Sequence, residues 1–260
     1  MMTDMSGRTL LVAGSSRGIG AATAQLSPHL VALAAELDAR AFECDGTDAD
    51  AVHDAVGTLE ADGVAIDALV CTLGAVTSTP ALGGSTEDWV GDFRANVLAP
   101  ANFIRAVAPG MRGRGRGRIV TVSSIRGRDS LASADVTGYS AAKAALENVT
   151  VSFAKELAPT ITVNSVAPGF SLTDMSQTWT PEVRQEVERS LLGRAAEPDE
   201  IASVLLFLVS DAASFMTAQT VSGRRRLGGA GHLAARLHPV RGELRGGSSC
   251  GGAAPPPAGD

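Results

Sequence analysis

Residues 10–20 read LLVAGSSRGIG. An apolar run ends in glycine, and three glycines (Gly14, Gly18 and Gly20) then lead into a helical pattern. That order is a strand, a tight turn and a helix N-terminus. Glycines at such a turn let backbone N–H groups approach a pyrophosphate where the helix dipole favours negative charge. A glycine triplet is weak on its own in a chain with 29 glycines, and its place at the first strand–helix junction gives it meaning. Arg17 stands beside the second glycine, where a guanidinium suits a 2′-phosphate, which favours NADP(H) over NAD(H). No Asp or Glu clearly closes a second strand to bind a free ribose 2′-hydroxyl.

Outward from that turn, apolar strand-like runs alternate with helical patterns. Strands are predicted over 9–13, 41–44, 68–72, 118–123 and 161–167. Helices are predicted over 19–26, 48–62, 86–108, 139–157, 181–191 and 198–209. Strands separated by helices mean βαβ units and a parallel sheet, here a three-layer doubly wound α/β sheet of Rossmann type. Its ligand site is expected at the carboxyl ends of the strands. Only 25 residues separate Gly20 from Asp45, so the second-strand region is short, and HLVALAAEL at 29–37 reads equally as strand or helix.

The 260 residues carry 22 Lys+Arg against 28 Asp+Glu, a net charge of −6, with 45% hydrophobic residues. That length and apolar share exclude a wholly disordered chain. No apolar run reaches the roughly 18–20 residues of a membrane span. Positions 1–10 lack the pattern of a secretory signal. Three cysteines make no disulfide framework, and the four histidines show no metal-ligand spacing, so no metal is expected. The expectation is a cytoplasmic protein with no membrane or nucleic-acid partner. Residues 223–260 hold six Arg against Glu243 and Asp260, a net of +4, which leaves −10 on the rest. The domain is therefore placed at 1–222, and 223–260 is read as a basic Gly/Arg/Pro-rich tail without a core of its own. MRGRGRGR at 111–118 lacks interleaved aromatics and reads as a solvated loop. Cys71 and Trp89 read as core residues.

Tyr139 is the only tyrosine and Lys143 one of two lysines. GYSAAKAAL sets them at i, i+4, on one helix face about 6 Å apart along the axis. A free phenol, with a pKa near 10, shuttles protons poorly at neutral pH, and an adjacent ammonium is expected to lower it. RIVTVSSIRG ends a strand at Ser123 and Ser124, and a serine there suits a carbonyl oxygen.

From Arg8 to Val221 the chain resembles the short-chain dehydrogenase/reductases of the common single-domain branch, and among them a 3-oxoacyl reductase-like ketoreductase. The family's glycine motif is matched at Ala13–Gly20, its Y-x-x-x-K at Tyr139 and Lys143, its strand-end serine at Ser124, and its tetrad asparagine at Asn96 in RANVLAP. Pro168 and Gly169 in VNSVAPGFSLTDM match the motif after the next strand. The resemblance implies hydride transfer between NADP(H) and a ketone or secondary alcohol. Tyr139 would then be the acid, Lys143 would hold the nicotinamide ribose and tune Tyr139, Ser124 would orient the carbonyl, and Asn96 would hold a relay water. It implies cofactor contacts at Gly14, Ser16, Arg17, Gly18, Ile19, Gly20, Asp45, Gly46, Leu73, Gly74, Asn96, Tyr139, Lys143, Pro168, Gly169 and Thr173. It also implies a homodimer or homotetramer built on the helices around 86–108 and 139–157, and a substrate lid after Gly169.

The chain departs from the family in places. The family's N-N-A-G reads Cys71-Thr72-Leu73-Gly74, which removes a bracing asparagine and adds bulk at Leu73. The interval from Ser124 to Tyr139 is two residues longer than in many members. V-D-G-G reads Val221-Ser222-Gly223-Arg224. The alternative reading is a nucleotide-binding protein with little catalysis, owing to the short 20–45 interval and the altered end.

Overall fold

The computed structural model describes residues 7–26, 43–128 and 131–223. Five parallel strands lie in the order β1 (Thr9–Ala13), β2 (Ile66–Cys71), β3 (Gly117–Val122), β4 (Ile161–Ala167) and β5 (Thr220–Ser222). The second strand predicted over 41–44 is not formed where it can be seen, since Glu43 and Cys44 are irregular. Residues 27–42 and 224–260, with the strand-or-helix question and the basic tail, lie outside the described residues.

Alternation along each strand sends side chains to opposite faces. Leu69, Cys71, Ile119 and Val163 meet α2 (Ala49–Ala61), α4 (Ala99–Gly113) and α5 (Thr137–Leu157). Leu10, Val70, Val120, Val122 and Val166 point the other way, onto α7 (Pro198–Val209), with Ile19 of α1 (Gly18–Leu26) packed beside them. The result is the three-layer Rossmann-like architecture. Between β4 and α7 lies α6 (Pro181–Glu188), which ends three residues earlier than predicted.

The helix predicted over 86–108 runs on to Gly113 but in three pieces. Ser85 caps α3 (Thr86–Phe93) through a reciprocal capping box with Asp88. A π-helical turn, Arg94–Leu98, then joins it to α4. Pro100, the second residue of α4, has no N–H to give and its ring crowds the carbonyl four residues back. The ladder widens there, and Ala99 N–H bonds to Arg94 O, five residues back. Asn96 sits inside that widened turn.

One surface expectation is corrected and one is extended. Trp89 is 38% exposed rather than core, because it occupies the outer side of the short α3. Residues 112–116 are exposed as expected, and their arginines also clasp the amino ends of the strands. Arg112 bonds to Glu156, Arg114 to Glu60 and the Ile66 carbonyl, Arg116 to the buried Asp67, and Arg118 approaches Asp211 at 3.8 Å. The glycines between them carry no side chain, so successive guanidiniums can reach different elements. Cys71 is fully buried as expected, and burial pushes its thiol well above the usual range.

Candidate active site

The glycine turn leaves β1 with Gly14 at φ +90° and Gly18 at φ +55°, conformations that L side chains rarely adopt. A Cβ on Gly20 would lie 2.2 Å from Gly14 O, so the turn closes only with glycine there. The expected result of Gly20→Ala is a loss of nicotinamide-cofactor affinity of at least tenfold, with lowered thermal stability, because backbone must move. Isothermal titration and a melting curve check it, and wild-type affinity would overturn it.

The lost bracing asparagine has a substitute that sequence reading missed. Thr72 N–H and Oγ1 both donate to Ala13 O, at 2.9 and 3.0 Å, and Oγ1 also reaches Gly14 O at 3.2 Å. Thr72 therefore ties the end of β2 to the start of the turn. Leu73 does not simply crowd the cleft. Part of it packs into the core, and its Cδ1 would lie 3.0 Å from a Cβ on the buried Gly46. Asn102 Nδ2 donates to Gly46 O at 3.1 Å, while Asp45 accepts from Thr47 N and Oγ1, both at 2.9 Å. Those bonds hold the Asp45 carboxyl below its usual value.

Across the cleft from the glycine turn runs the segment after β4. Pro168 O accepts from Ile125 N at 3.0 Å, and Gly169 N would lie 3.0 Å from a Cβ on Gly223. Thr173 Cγ2 would lie 3.3 Å from a Cβ on Gly18, and Asp174 approaches the exposed Arg17 at 3.9 Å. Ser16 is exposed, and the Ile19 side chain turns into the α7 face. Most of the residues expected along one elongated ligand thus follow the carboxyl ends of β1, β2 and β4, with Thr173 beside Gly18.

At the carboxyl end of β3 the two serines separate. Ser123 is buried and donates to Lys143 O and Glu147 Oε1, both at 3.1 Å, a packing role against α5. Ser124 Oγ accepts from Arg126 N at 3.1 Å, and the serine stands near enough to the Tyr139 phenol to favour its ionised form. Lys143 is buried, lies 5.7 Å from the Tyr139 ring centroid and donates to Val122 O at 2.8 Å. The Asn96 amide donates to Ala75 O and Asp92 O, both at 2.8 Å. Its Oδ1 is buried with no partner. A Cβ on Gly74 would lie 2.7 Å from that oxygen and 3.0 Å from Lys143 Nζ, so the two face each other over a residue that must be small. A buried acceptor left open beside an ammonium suits a bridging water or hydroxyl.

The expected lowering of the Tyr139 phenol is corrected. Burial is the largest influence and pushes the phenol up. The Ser124 hydroxyl and the Arg126 charge oppose that shift, and the Asp92 charge reinforces it. The nearby Lys143 ammonium, 5.7 Å from the ring, does not reverse that upward shift. Burial lowers Lys143 itself to about 8. At neutral pH the phenol keeps its proton and the amine its charge.

Asp92, also unread in the sequence, helps to set Tyr139 in place. Buried below the start of α5, it accepts from Thr77 N at 3.1 Å and Thr79 Oγ1 at 3.3 Å, and that hydroxyl accepts from Gly138 N at 2.9 Å. Among the described residues no group of His, Cys, Asp and Glu is placed to hold a metal ion. No described helix is long and apolar enough to cross a membrane.

The model of the enoyl-(acyl carrier protein) reductase type matches residues 13–222, which takes in the glycine turn, all four tetrad positions and β5. The chain belongs to the short-chain dehydrogenase/reductase family. An acetoacetyl-CoA reductase from Shinella zoogloeoides is 34% identical over 233 residues, covering 83% of this chain and 96% of the relative. A 3-oxoacyl-[acyl-carrier protein] reductase from Brucella melitensis, solved with bound NAD, is 31% identical with a TM-score of 0.72, covering 84% and 90% of the two chains. A putative NAD(P)-dependent gluconate 5-dehydrogenase from Beutenbergia cavernae, solved with bound NADP, is 27% identical with a TM-score of 0.77, covering 85% and 97%.

The chain is accordingly an NAD(P)-dependent oxidoreductase acting on a keto or hydroxyl group. Its residues fit the nicotinamide cofactor that the family binds. The glycines leave the backbone of the turn bare of side chains, and the buried Asn96 oxygen without a partner lies near Lys143.

Proposed function

We propose that this enzyme is a ketoreductase that uses NADP(H) in preference to NAD(H), with Ser124, Tyr139, Lys143 and Asn96 as its site. The observation that carries the reading is the meeting of the Ser124–Tyr139 pair with Lys143 Nζ and the open Asn96 Oδ1 beside the glycine crevice. A bound nicotinamide supplies or takes up the hydride. Ser124 holds the carbonyl oxygen, and Tyr139 gives it a proton. Lys143 binds the cofactor ribose and, through a water on Asn96 Oδ1, returns a proton towards the phenol. A phenol held protonated by its surroundings is ready to act as an acid, which supports the reducing direction.

Ser16 and the backbone of Gly14, Gly18, Ile19 and Gly20 receive the phosphates, Asp45, Gly46, Leu73 and Gly74 border the adenosine half, and Pro168, Gly169 and Thr173 the nicotinamide end. Arg17 supports the phosphate preference, since it is exposed at the mouth of the turn with Asp174 as a loose partner at 3.9 Å. Names of relatives point to a 3-oxoacyl thioester or another small ketone as substrate. We assign residues 1–222 as the catalytic domain, in a cytoplasmic homodimer or homotetramer.

The test is cofactor oxidation at 340 nm on acetoacetyl thioesters and neutral ketones with each cofactor. The expected result is a higher kcat/KM with NADPH, and a rise of roughly tenfold in the NADPH KM for Arg17→Ala with NADH little changed. Equal use of both cofactors by the wild type would remove the preference, and no turnover on any ketone would remove the ketoreductase.

A further inference from the structure

The turn after Ser124 carries two arginines that the proposed chemistry does not use. Gly127 between them packs on the helix backbone, since a Cβ there would lie 2.8 Å from Ala144 N and Lys143 C. With the turn seated on α5, its arginines point apart. Arg128 pairs with Glu147 of α5 at 3.1 Å. Arg126 turns towards α6 and pairs with Glu186 at 2.9 Å, both side chains being largely covered at 17% and 31% exposure. Arg126 also donates to Leu131 O at 3.3 Å and lies 5.6 Å from the Phe170 ring centroid. Phe170 in turn meets Trp179 edge-on at 5.6 Å.

The segment that carries α6 is fastened at its base. Leu172 N donates to Ala196 O at 2.9 Å, and Ala196 N to Phe170 O at 2.8 Å, so residues 172–196 leave and rejoin the body at one point. A loop closed at its base still swings unless its far part is tied. Arg126 meets that far part, two residues from Ser124, and its backbone N–H already bonds Ser124 Oγ. One residue thus touches the oxygen expected to hold the carbonyl and the helix expected to cover it.

We propose that Arg126 is a positioning residue that latches α6 over the carbonyl site through Glu186 and Phe170, so that the substrate is bound under a closed cover. This rests on the reading of Ser124 and Tyr139 as the carbonyl site. A covered pair of this kind is a charge-assisted hydrogen bond, stronger than an exposed ion pair. Its loss weakens substrate capture while the hydride and proton steps keep their own groups, and because the Arg126 charge also bears on the Tyr139 phenol, Glu186→Gln, which keeps that charge, gives the cleaner split. An effect on KM more than on kcat therefore follows.

The experiment is steady-state kinetics of Arg126→Ala, Glu186→Gln and the Arg126→Ala/Glu186→Gln double variant, with NADPH affinity measured separately by fluorescence titration. The expected result is a ketone KM raised roughly tenfold to a hundredfold in each, a kcat changed less than KM, and unchanged NADPH affinity. The two substitutions are expected to combine to less than the product of their separate effects, because they share the Arg126–Glu186 contact. Glu186→Gln lies on the outer helix and keeps the question open to test even where Arg126→Ala fails to fold. Unchanged KM in Glu186→Gln, or losses that multiply in the double variant, would overturn the latch. A wild type without turnover would instead overturn the reading of the site.

Discussion

Tyr139→Phe is expected to lower kcat by about 10²–10⁴-fold, the usual worth of a positioned general acid, while NADPH binds with wild-type affinity. The substitution removes one hydroxyl and keeps the ring that Lys143 faces at 5.7 Å. Ser124 loses the phenol but keeps the bond from Arg126 N, so its turn stays in place. Stopped-flow reduction of a ketone and a cofactor titration separate the two effects. A Phe variant with more than a tenth of the wild-type rate would sink the role of Tyr139 as acid. Because Tyr139 is the only tyrosine, phenolate absorbance near 295 nm reports its ionisation alone. The phenol is expected to titrate above its ordinary value near 10, since burial outweighs the Ser124 hydroxyl and the Arg126 charge. Its proton then stays in place through neutral and mildly alkaline pH.

The alternation of strands and helices and the closeness of Tyr139 to Lys143 were legible because each rests on a local rule. Strand alternation placed Leu69, Cys71 and Ile119 on one face, and the i, i+4 spacing placed Tyr139 and Lys143 together. What was not legible depends on contacts distant in sequence. Thr72 braces Ala13 across 59 residues, and the short N-N-A-G replacement gave no hint that a threonine would do it. The partners of the exposed arginines of 111–118, Glu60, Asp67, Glu156 and Asp211, could not be read because they lie in four other segments. Asp92 gave no signal on an exposed-looking helix, yet packing carries its carboxylate under α5. The direction of the Tyr139 shift also failed for a long-range reason. Sequence spacing brought the ammonium near, but burial of the ring by segments distant in the chain outweighs it. Pro100 was visible throughout, and its consequence, the π-helical turn that aims Asn96, needed the ladder itself.

Lys143→Met is expected to abolish turnover and at the same time to stabilise the fold. Lys143 is 3% exposed and donates a hydrogen bond to the Val122 carbonyl. Burial lowers it from 10.5 to about 8, so below pH 8 the folded protein carries a buried charge at a cost of about 3 kcal/mol. Between about pH 8 and 10.5 the unfolded chain still binds the proton that the folded chain has released, so this group makes stability rise with pH across that window. Methionine removes the charge and fills similar volume. It also strands the Val122 carbonyl, which returns about 1–3 kcal/mol of the gain. The net is a stabilisation of roughly 1 kcal/mol at pH 6–7, shrinking as pH rises towards 10. Urea unfolding of both proteins at pH 6.5 and pH 9.5 measures it. A Met variant less stable than wild type at both pH values would mean that the ammonium is solvated or paired in a way the Val122 bond does not describe. Retained activity would mean that the ribose contact and the proton path do not need it. The expected outcome, an inactive and more stable protein, would show that the fold carries this charge at its own expense for the sake of the site.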